Sequence, residues 1–414
     1  MNSSEDIKIV KTDVGSIDGQ NKCPKCGATD ISYNINTGKL RCNYCRYEFD
    51  LKKVIGFEED ISKLEGKVIS SGTQNINSEF NNTVTLKCSS CGAEVVIDTS
   101  QTSNARCHWC RNVLSINNQL PNGTIPDVLL PFAITKEEAK NQIQNFVKKR
   151  SFYANTKFKK EFTLDNVMGV YFPYMVVDIN SHASFSGQGE VLIRRYTKKE
   201  GKHTRTYYDA SVYNVSRDFD LTINGLTIES NSERLNNKST EKTNNIINSI
   251  MPFDIENCVK FDSNYLRGYT SEKRNIDIEQ LKNLVKLQSE DIARFACNDT
   301  LKKYDRGVCW SNQTLTVKGQ QWKTAYLPVW LYSYYQEDNK VLHYVAVNAR
   351  TKETMGSIPI NITKLLLVSF LIELCGGIVV INVDSDIEWI FLLPGIIYFF
   401  IIYNKYRNSK ARHM

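Results

Sequence analysis

The chain of 414 residues is long enough for roughly two to four domains, and its 41% hydrophobic content is that of an ordinary globular protein. A formal charge of +7 and a pI near 8.6 suit a partner that carries phosphate, whether nucleic acid or an anionic lipid surface, without choosing between them. Twelve cysteines would suggest disulfides in a short secreted chain, but eight of them fall into four Cys-x-x-Cys pairs, a spacing that suits thiolate ligation of a metal in a reducing compartment.

Residues 1–20 read as a polar leader. They lack the basic and apolar regions of a signal peptide, so the cysteine-rich part is expected to stay in the cytosol. Residues 21–50 form a first unit, in which Cys23-Pro-Lys-Cys26 and Cys42-Asn-Tyr-Cys45 flank a predicted hairpin through Ile31-Ser-Tyr33, a turn at Asn36-Thr-Gly38, and Lys39-Leu-Arg41. Each pair offers two sulfurs from a tight turn, and two facing turns complete a tetrahedral four-cysteine site with bonds near 2.3 Å, the pattern of a zinc ribbon. Structural Zn2+ is the expected occupant, ahead of iron or redox-active thiols. Across 51–85 the sequence reads as a linker, with a short amphipathic helix over 57–68 and a polar stretch that leaves the units hinged.

The second ribbon, 86–117, repeats the device with Cys88, Cys91, Cys107 and Cys110, again with 15 residues between the pairs. Arg41 and Arg106 each precede the third ligand of their site, and Arg46 and Arg111 each follow the fourth, which marks an internal duplication with two structural zinc sites. Gly27 and Gly92 follow the second ligands, where a reversal of the backbone favours positive φ. His108 lies inside the last pair; with four cysteines at hand it is expected to be a surface side chain.

From 118 the sequence reads as a duplicated α+β body, with units over 118–249 and 250–361. Thr135-Lys-Glu-Glu138 has the form of a capping box opening a helix through Ala139, Ile143, Phe146 and Val147. Short strands are expected at 170–178, 183–186, 190–196, 204–208 and 211–215. In the second half a helical region runs from Ile278 to about Lys303, followed by strands at 331–335 and 342–347. Met251-Pro252-Phe253 echoes Leu130-Pro131-Phe132, and Tyr326-Leu-Pro328 echoes Tyr171-Phe-Pro173.

The end of the chain, 362–404, is expected to be a two-helix transmembrane hairpin. Its first run, 365–381, reaches the ~20 residues a bilayer needs and its second, 389–403, is short, with no Lys or Arg from 365 to 404. The intervening Asp384, Asp386 and Glu388 are acidic, whereas the tail 405–414 carries Lys405, Arg407, Lys410 and Arg412. Basic flanks stay cytoplasmic, which makes this a multi-pass protein of the cell membrane with body and tail in the cytoplasm, and Trp389, Tyr398 and Tyr403 its interface anchors. Pro394-Gly395 in the second run leaves a buried apolar helix as the alternative. Glu373 is the single charge inside a span and a candidate contact with the other helix or a partner helix.

Catalytic patterns are absent from the sequence: the five histidines are scattered, and Gly187-Gln-Gly189 lacks a third glycine and reads as a turn. Four thiolates also close a zinc sphere and leave no place for an activated water. Cys258, Cys297, Cys309 and Cys375 share no ligand spacing and read as small apolar residues. Two basic clusters fit anionic headgroups, nucleic acid or plain solvent. One is Lys148, Lys149 and Arg150 with Lys157, Lys159 and Lys160; the other is Arg194, Arg195, Lys198 and Lys199 with Lys202 and Arg205, interleaved with Tyr196, Tyr207 and Tyr208.

The run Arg106-Cys-His-Trp-Cys-Arg-Asn-Val-Leu-Ser-Ile-Asn-Asn-Gln-Leu-Pro-Asn-Gly-Thr-Ile-Pro-Asp-Val-Leu-Leu-Pro-Phe132 resembles a family of Firmicute membrane proteins labelled TFIIB-type zinc-ribbon-containing proteins. Tyr326-Leu-Pro-Val-Trp330 and Val347-Asn-Ala-Arg-Thr351 are similar to that family's C-terminal half, so the resemblance covers most of 88–403. It implies zinc ligands and a membrane anchor; by a looser analogy it implies a scaffold that works beside envelope-stress proteins. Together these readings point to a multidomain, non-catalytic adaptor that docks a protein partner at the cytoplasmic face of a membrane. The alternative, which the family label suggests, is a nucleic-acid-binding or transcription-linked protein.

Overall fold

A computed structural model of the chain describes residues 7–10, 23–26, 28, 31–50, 60–70, 83–99, 105–120, 126–200, 203–231, 250–261, 263–336, 341–381 and 393–407. After β1 (Ile7–Val10) the first ribbon is a separate antiparallel sheet of β2 (Ile31–Asn34), β3 (Lys39–Cys42) and β4 (Glu48–Phe49). Most of the expected leader lies outside the described residues. The helix expected over 57–68 does not form in its described part: Ile61–Lys63 is one 3-10 turn capped by Asp60, and Gly66 at φ +70° opens β5 (Gly66–Ser70), which pairs in parallel with β1. Local amphipathicity loses here to a place inside the main sheet that buries Val68 and Ile69.

In the second ribbon β6 (Thr83–Lys87) and β7 (Glu94–Asp98) form a hairpin, with β8 (Gln119–Leu120) added to β6. The body continues with β9 (Val128–Leu129), α1 (Lys136–Lys148), α2 (Thr156–Glu161), β10 (Met168–Glu200), β11 (His203–Glu229), β12 (Val259–Lys260) and β13 (Thr270–Glu272). It closes with α3 (Ile278–Cys297), β14 (Val308–Gln336), β15 (Val341–Asn348) and β16 (Thr354–Gly356). Helix α1 follows its sequence signals: Thr135 Oγ1 accepts from the Glu138 N–H, the Glu138 carboxylate accepts from the Thr135 N–H at 2.9 Å, and Ala139, Ile143, Phe146 and Val147 share the buried face.

The short strands expected between 170 and 215 are pieces of two very long ones. β10 runs antiparallel to both β11 and β14 along most of its length. Gly187 and Gly189 are not a turn but lie inside β10, where a Cβ on Gly187 would come 2.2 Å from the Cys309 carbonyl oxygen and one on Gly189 2.5 Å from the Tyr304 ring. These glycines allow close approach of neighbouring chain. Among the described residues, thirteen strands including those of the second ribbon make one mixed sheet.

The centre of that sheet obeys a local two-fold. Tyr171 lies opposite Pro328, Phe172 opposite Leu327 and Pro173 opposite Tyr326, so the two Tyr-x-Pro motifs face each other across β10 and β14. β9 adds in parallel beside Ala325–Tyr326, and β13 adds in parallel beside Val170–Tyr171. Six residues after Leu129 comes the cap Thr135; six after Ser271 comes the cap Asp277, whose N–H donates to Gln280 Oε1 at 3.0 Å. Met251-Pro252-Phe253 therefore does not take the place of Leu130-Pro131-Phe132: the matching strand is β13, and a two-residue echo was too short to set the register. Phe132, Tyr171, Tyr269 and Trp330 pack ring on ring beside this axis, with Phe132 stacked on Tyr269 at 4.3 Å.

After the body come α4 (Ile362–Ile381) and α5 (Pro394–Arg407), which pack on each other. The expected two-span transmembrane hairpin is not found: among the described residues no helix is long and apolar enough to cross a membrane. α5 has 14 residues, about 21 Å of helix against a hydrocarbon core of about 30 Å. Pro394, expected inside the second run, instead opens the helix, where its missing N–H costs nothing. Asp384, Asp386, Glu388, Trp389, Lys410 and Arg412 lie outside the described residues. Glu373 meets the other helix of the pair, its Oε2 accepting from the Gly395 N–H at 2.8 Å in the first turn of α5.

Candidate metal centres

Both sets of four cysteines converge. Cys23, Cys26, Cys42 and Cys45 form one group and Cys88, Cys91, Cys107 and Cys110 the other, with every sulfur within 4.8 Å of the rest of its group. The closest cross-pairs are Cys23–Cys45 and Cys26–Cys42 at 3.6 Å, Cys88–Cys110 at 3.4 Å and Cys91–Cys107 at 3.6 Å. A tetrahedron with 2.3 Å metal–sulfur bonds has edges of about 3.8 Å, so the sulfurs already stand near the corners a zinc ion requires. At this spacing the thiols perturb one another. Hydrogen bonds with Cys107 and Cys91 hold Cys110 far below the ordinary thiol range, while Cys107 is pushed far up by its bonds to Cys110 and Cys91. A divalent cation removes that conflict by letting all four ionise.

The turns share one pattern, complete in the three whose residues are all described. The N–H groups of Cys23, Cys42, Cys88 and Cys107 donate to the carbonyls of Ala28, Tyr47, Ala93 and Asn112, and those of Arg46, Gly92 and Arg111 return to Cys42, Cys88 and Cys107. Closing the turn puts Gly92 at φ +80°, and also Arg46 at +57° and Arg111 at +66°. The repeated arginines thus occupy left-handed positions, at a cost of about 1–2 kcal/mol each that the hydrogen bonds and a bound metal offset. Gly27 lies outside the described residues.

The two centres differ in their surroundings. The first ribbon rests on the body through Ile31 and Leu40, both buried in the core cluster, and through Tyr33, 5.7 Å from Tyr265. Its outer side leaves Lys25, Tyr44, Arg46 and Tyr47 exposed, Tyr44 at 82%. The second ribbon is part of the body: Val95 and Val96 of β7 pair with Glu272 and Ser271 of β13.

His108 is not at the surface, as its sequence context suggested, but fully buried against Glu272. Glu272 Oε1 accepts from His108 Nε2 at 3.2 Å and from Trp109 Nε1 at 2.6 Å, and its Oε2 accepts from Asn231 Nδ2 at 2.9 Å. With Nε2 donating, Nδ1 is left to accept from the Thr270 hydroxyl at 3.1 Å, and the His108 carbonyl accepts from Ser333 Oγ at 2.8 Å. The turn that carries two metal ligands is thereby bonded to two strands of the body, β13 and β14. Local sequence shows only a histidine between ligands; its partner is 164 residues away.

The two basic clusters separate. Lys148 and Lys149 are exposed at the end of α1, and Arg150 lies over the Phe146 ring at 3.6 Å, three residues before Tyr153, whose hydroxyl meets that of Tyr398 in α5 at 2.8 Å. Arg194, Arg195, Lys198 and Lys199 are exposed near the far tip of the β10–β11 hairpin, where Arg194 pairs with Asp209 and the cations lie over Tyr196, Tyr207 and Tyr208. A further group, invisible before the register was known, joins His182 to Asp220 at 2.8 Å and to Asp218 at 2.5 Å. Lys318 also reaches Asp220, and the two carboxylates raise the basicity of the imidazole. Of the other cysteines, Cys258 and Cys297 are buried while Cys309 and Cys375 are exposed.

The chain is similar to the uncharacterized protein YdjG of Bacillus subtilis (strain 168), with 25% identity over 346 residues, 82% of this chain and 90% of that protein. No family model matches, and no solved structure does. The likeness to TFIIB-type zinc-ribbon proteins thus stands on its quoted residues alone. What the geometry offers chemically is two closed four-sulfur sites that could bind metal ions, with no further ligand position evident in either group.

Proposed function

We propose that the protein is a non-catalytic zinc-ribbon adaptor that works at the cytoplasmic surface of a membrane and docks a protein partner through its first ribbon. The observation that carries this reading is the asymmetry of the two centres: one is wired into the body, while the other keeps Lys25, Tyr44, Arg46 and Tyr47 on the outside of a rigid, metal-clamped turn. Exposed aromatic and arginine side chains on a small rigid surface are the usual anchors of a protein interface. Zinc suits both sites because ligation supplies folding energy that so short a unit cannot take from its own core.

Membrane association is supported by α4 and α5. Leu366, Leu367, Phe370, Leu371 and Leu374 are exposed along one face of α4, as are Ile396, Ile397, Phe400 and Ile401 along one face of α5. Apolar faces of this extent mark a membrane or interaction site. Cross-linking in native membranes tests the reading with the wild type and Cys23→Ser/Cys26→Ser. The variant is expected to stay folded and membrane-bound while its cross-linked partner disappears; an unchanged set of partners would remove the ribbon from the account.

A second reading, nucleic-acid binding, is favoured by the cations and rings at the β10–β11 tip. It requires that the purified protein bind DNA or RNA in a salt-dependent way that weakens when Arg194, Arg195, Lys198 and Lys199 are neutralised. No binding at low salt ends it.

A further inference from the structure

The turn between α1 and α2 is the seat on which the helical pair stands. Asn361 N–H donates to the Tyr153 carbonyl at 2.8 Å, and Asn155 N–H donates to the Pro359 carbonyl at 2.8 Å. The Tyr153 and Tyr398 hydroxyls meet at 2.8 Å, and the Tyr153 ring packs edge-on against Tyr406. Lys364 Nζ reaches the Phe152 carbonyl at 3.0 Å and lies 3.8 Å over its ring. Both the start of α4 and the end of α5 therefore sit on residues 152–155. The apolar faces of the pair begin at this level.

Cations flank the seat along the chain: Lys148 and Lys149 end α1, Lys159 and Lys160 end α2, and Lys405 precedes Tyr406, whose ring packs on Tyr153. Lys148, Lys149, Lys159, Lys160 and Lys405 are all exposed, and none has an ion-pair partner among the described residues. Glu161, at the end of α2, is the acidic neighbour. Phe152, in the seat itself, is 56% exposed. Toward the β10–β11 tip, by contrast, Arg194 pairs with Asp209 and Arg306 with Glu190, and Arg195 and Lys198 lie over tyrosine rings. The tip is also far along the sheet: from Val170, near the start of β10, to Lys198 is roughly 90 Å of strand.

From this arrangement we infer that Lys148, Lys149, Lys159, Lys160 and Lys405 form a collar for anionic phospholipid headgroups, with Phe152 dipping among the upper acyl carbons and the hairpin tip taking no part. The inference rests on the membrane reading above and adds the lipid charge to it. Apolar side chains on α4 and α5 supply affinity for any bilayer, whereas the collar supplies preference for a negative one. These lysines lie open to solvent, so the preference weakens as salt rises.

Flotation of the full-length protein with phosphatidylcholine vesicles, and with vesicles that also contain phosphatidylglycerol, tests it. Wild type is expected to float with both and to favour the anionic vesicles by at least about tenfold at low salt. Lys148→Gln/Lys149→Gln/Lys159→Gln/Lys160→Gln is expected to float with neutral vesicles as before and to lose that preference. Arg194→Gln/Arg195→Gln/Lys198→Gln/Lys199→Gln is expected to keep it. A preference that survives the collar variant, or that falls with the tip variant instead, overturns the collar. Wild type floating equally with both vesicles also overturns it and leaves the membrane reading standing; wild type floating with neither takes down both. Thermal melts of the variants that match wild type exclude misfolding as the cause.

Discussion

Glu272 carries the most concentrated set of bonds at a single side chain, since its two oxygens serve His108, Trp109 and Asn231 in a site closed to water. Replacing it with glutamine puts an amide where one of those donors needs an acceptor. Glu272→Gln is therefore expected to cost about 1–3 kcal/mol in denaturant unfolding while both zinc sites stay filled; a loss below ~0.5 kcal/mol would show that the network is ornamental. His343 gives a pH signature. It accepts from Ser357 Oγ at Nδ1 and donates from Nε2 to Gln336, both at 3.2 Å, and burial pushes its pKa down from 6.5 to about 4. The unfolded chain takes up this proton at higher pH than the folded one, so stability is full above about 6.5 and falls as pH drops toward 4. The loss is on the order of 2 kcal/mol. His343→Gln should flatten that part of the stability–pH curve relative to wild type; parallel curves would refute the assignment. Neither residue announced itself in the sequence, because each owes its role to partners on other strands.

Among the elements, the two ribbons share spacing and turn geometry but not their dependence on the body. Each Cys→Ser pair, at 23/26 or 88/91, is expected to lower bound zinc from two to one per chain. Loss of the second site should also lower the main unfolding transition by several kcal/mol, because β7 pairs with β13 and His108 anchors the turn. Loss of the first should lower it less, because that ribbon meets the core through Ile31, Leu40 and Tyr33 but shares no strand pairing with the main sheet. Calorimetry with metal analysis separates these outcomes, and equal effects would contradict the asymmetry on which the adaptor reading stands. Helix α1 was legible from Thr135 and Glu138 because its cap and buried face are local. β10 and β11 were read as fragments, since Gly187 and Gly189 look like a break until the Cys309 carbonyl and the Tyr304 ring are seen against them. The helix expected over 57–68 failed for the converse reason: Val68 found a place in a sheet, between β1 and β14, that only the distant strands supply.

Across the whole molecule, the two four-cysteine centres, the two-fold core and the apolar helical pair lie in sequence order. In space, the second ribbon belongs to the core sheet and the helical pair stands on the α1–α2 turn. The sequence by itself determined what is local: eight ligands at metal spacing, the cap of α1, and the apolar character of 365–381 and 394–402. A cysteine pair or a capping box completes its chemistry within a few residues, so spacing suffices to read it. Tertiary structure alone decided which strand repeats which, that His108 is buried, that Glu373 meets the first turn of α5, and which basic cluster stands beside the apolar helices. Those facts depend on pairings such as Phe172 with Leu327 and His108 with Glu272, across 155 and 164 residues. No local pattern encodes a partner that far along the chain.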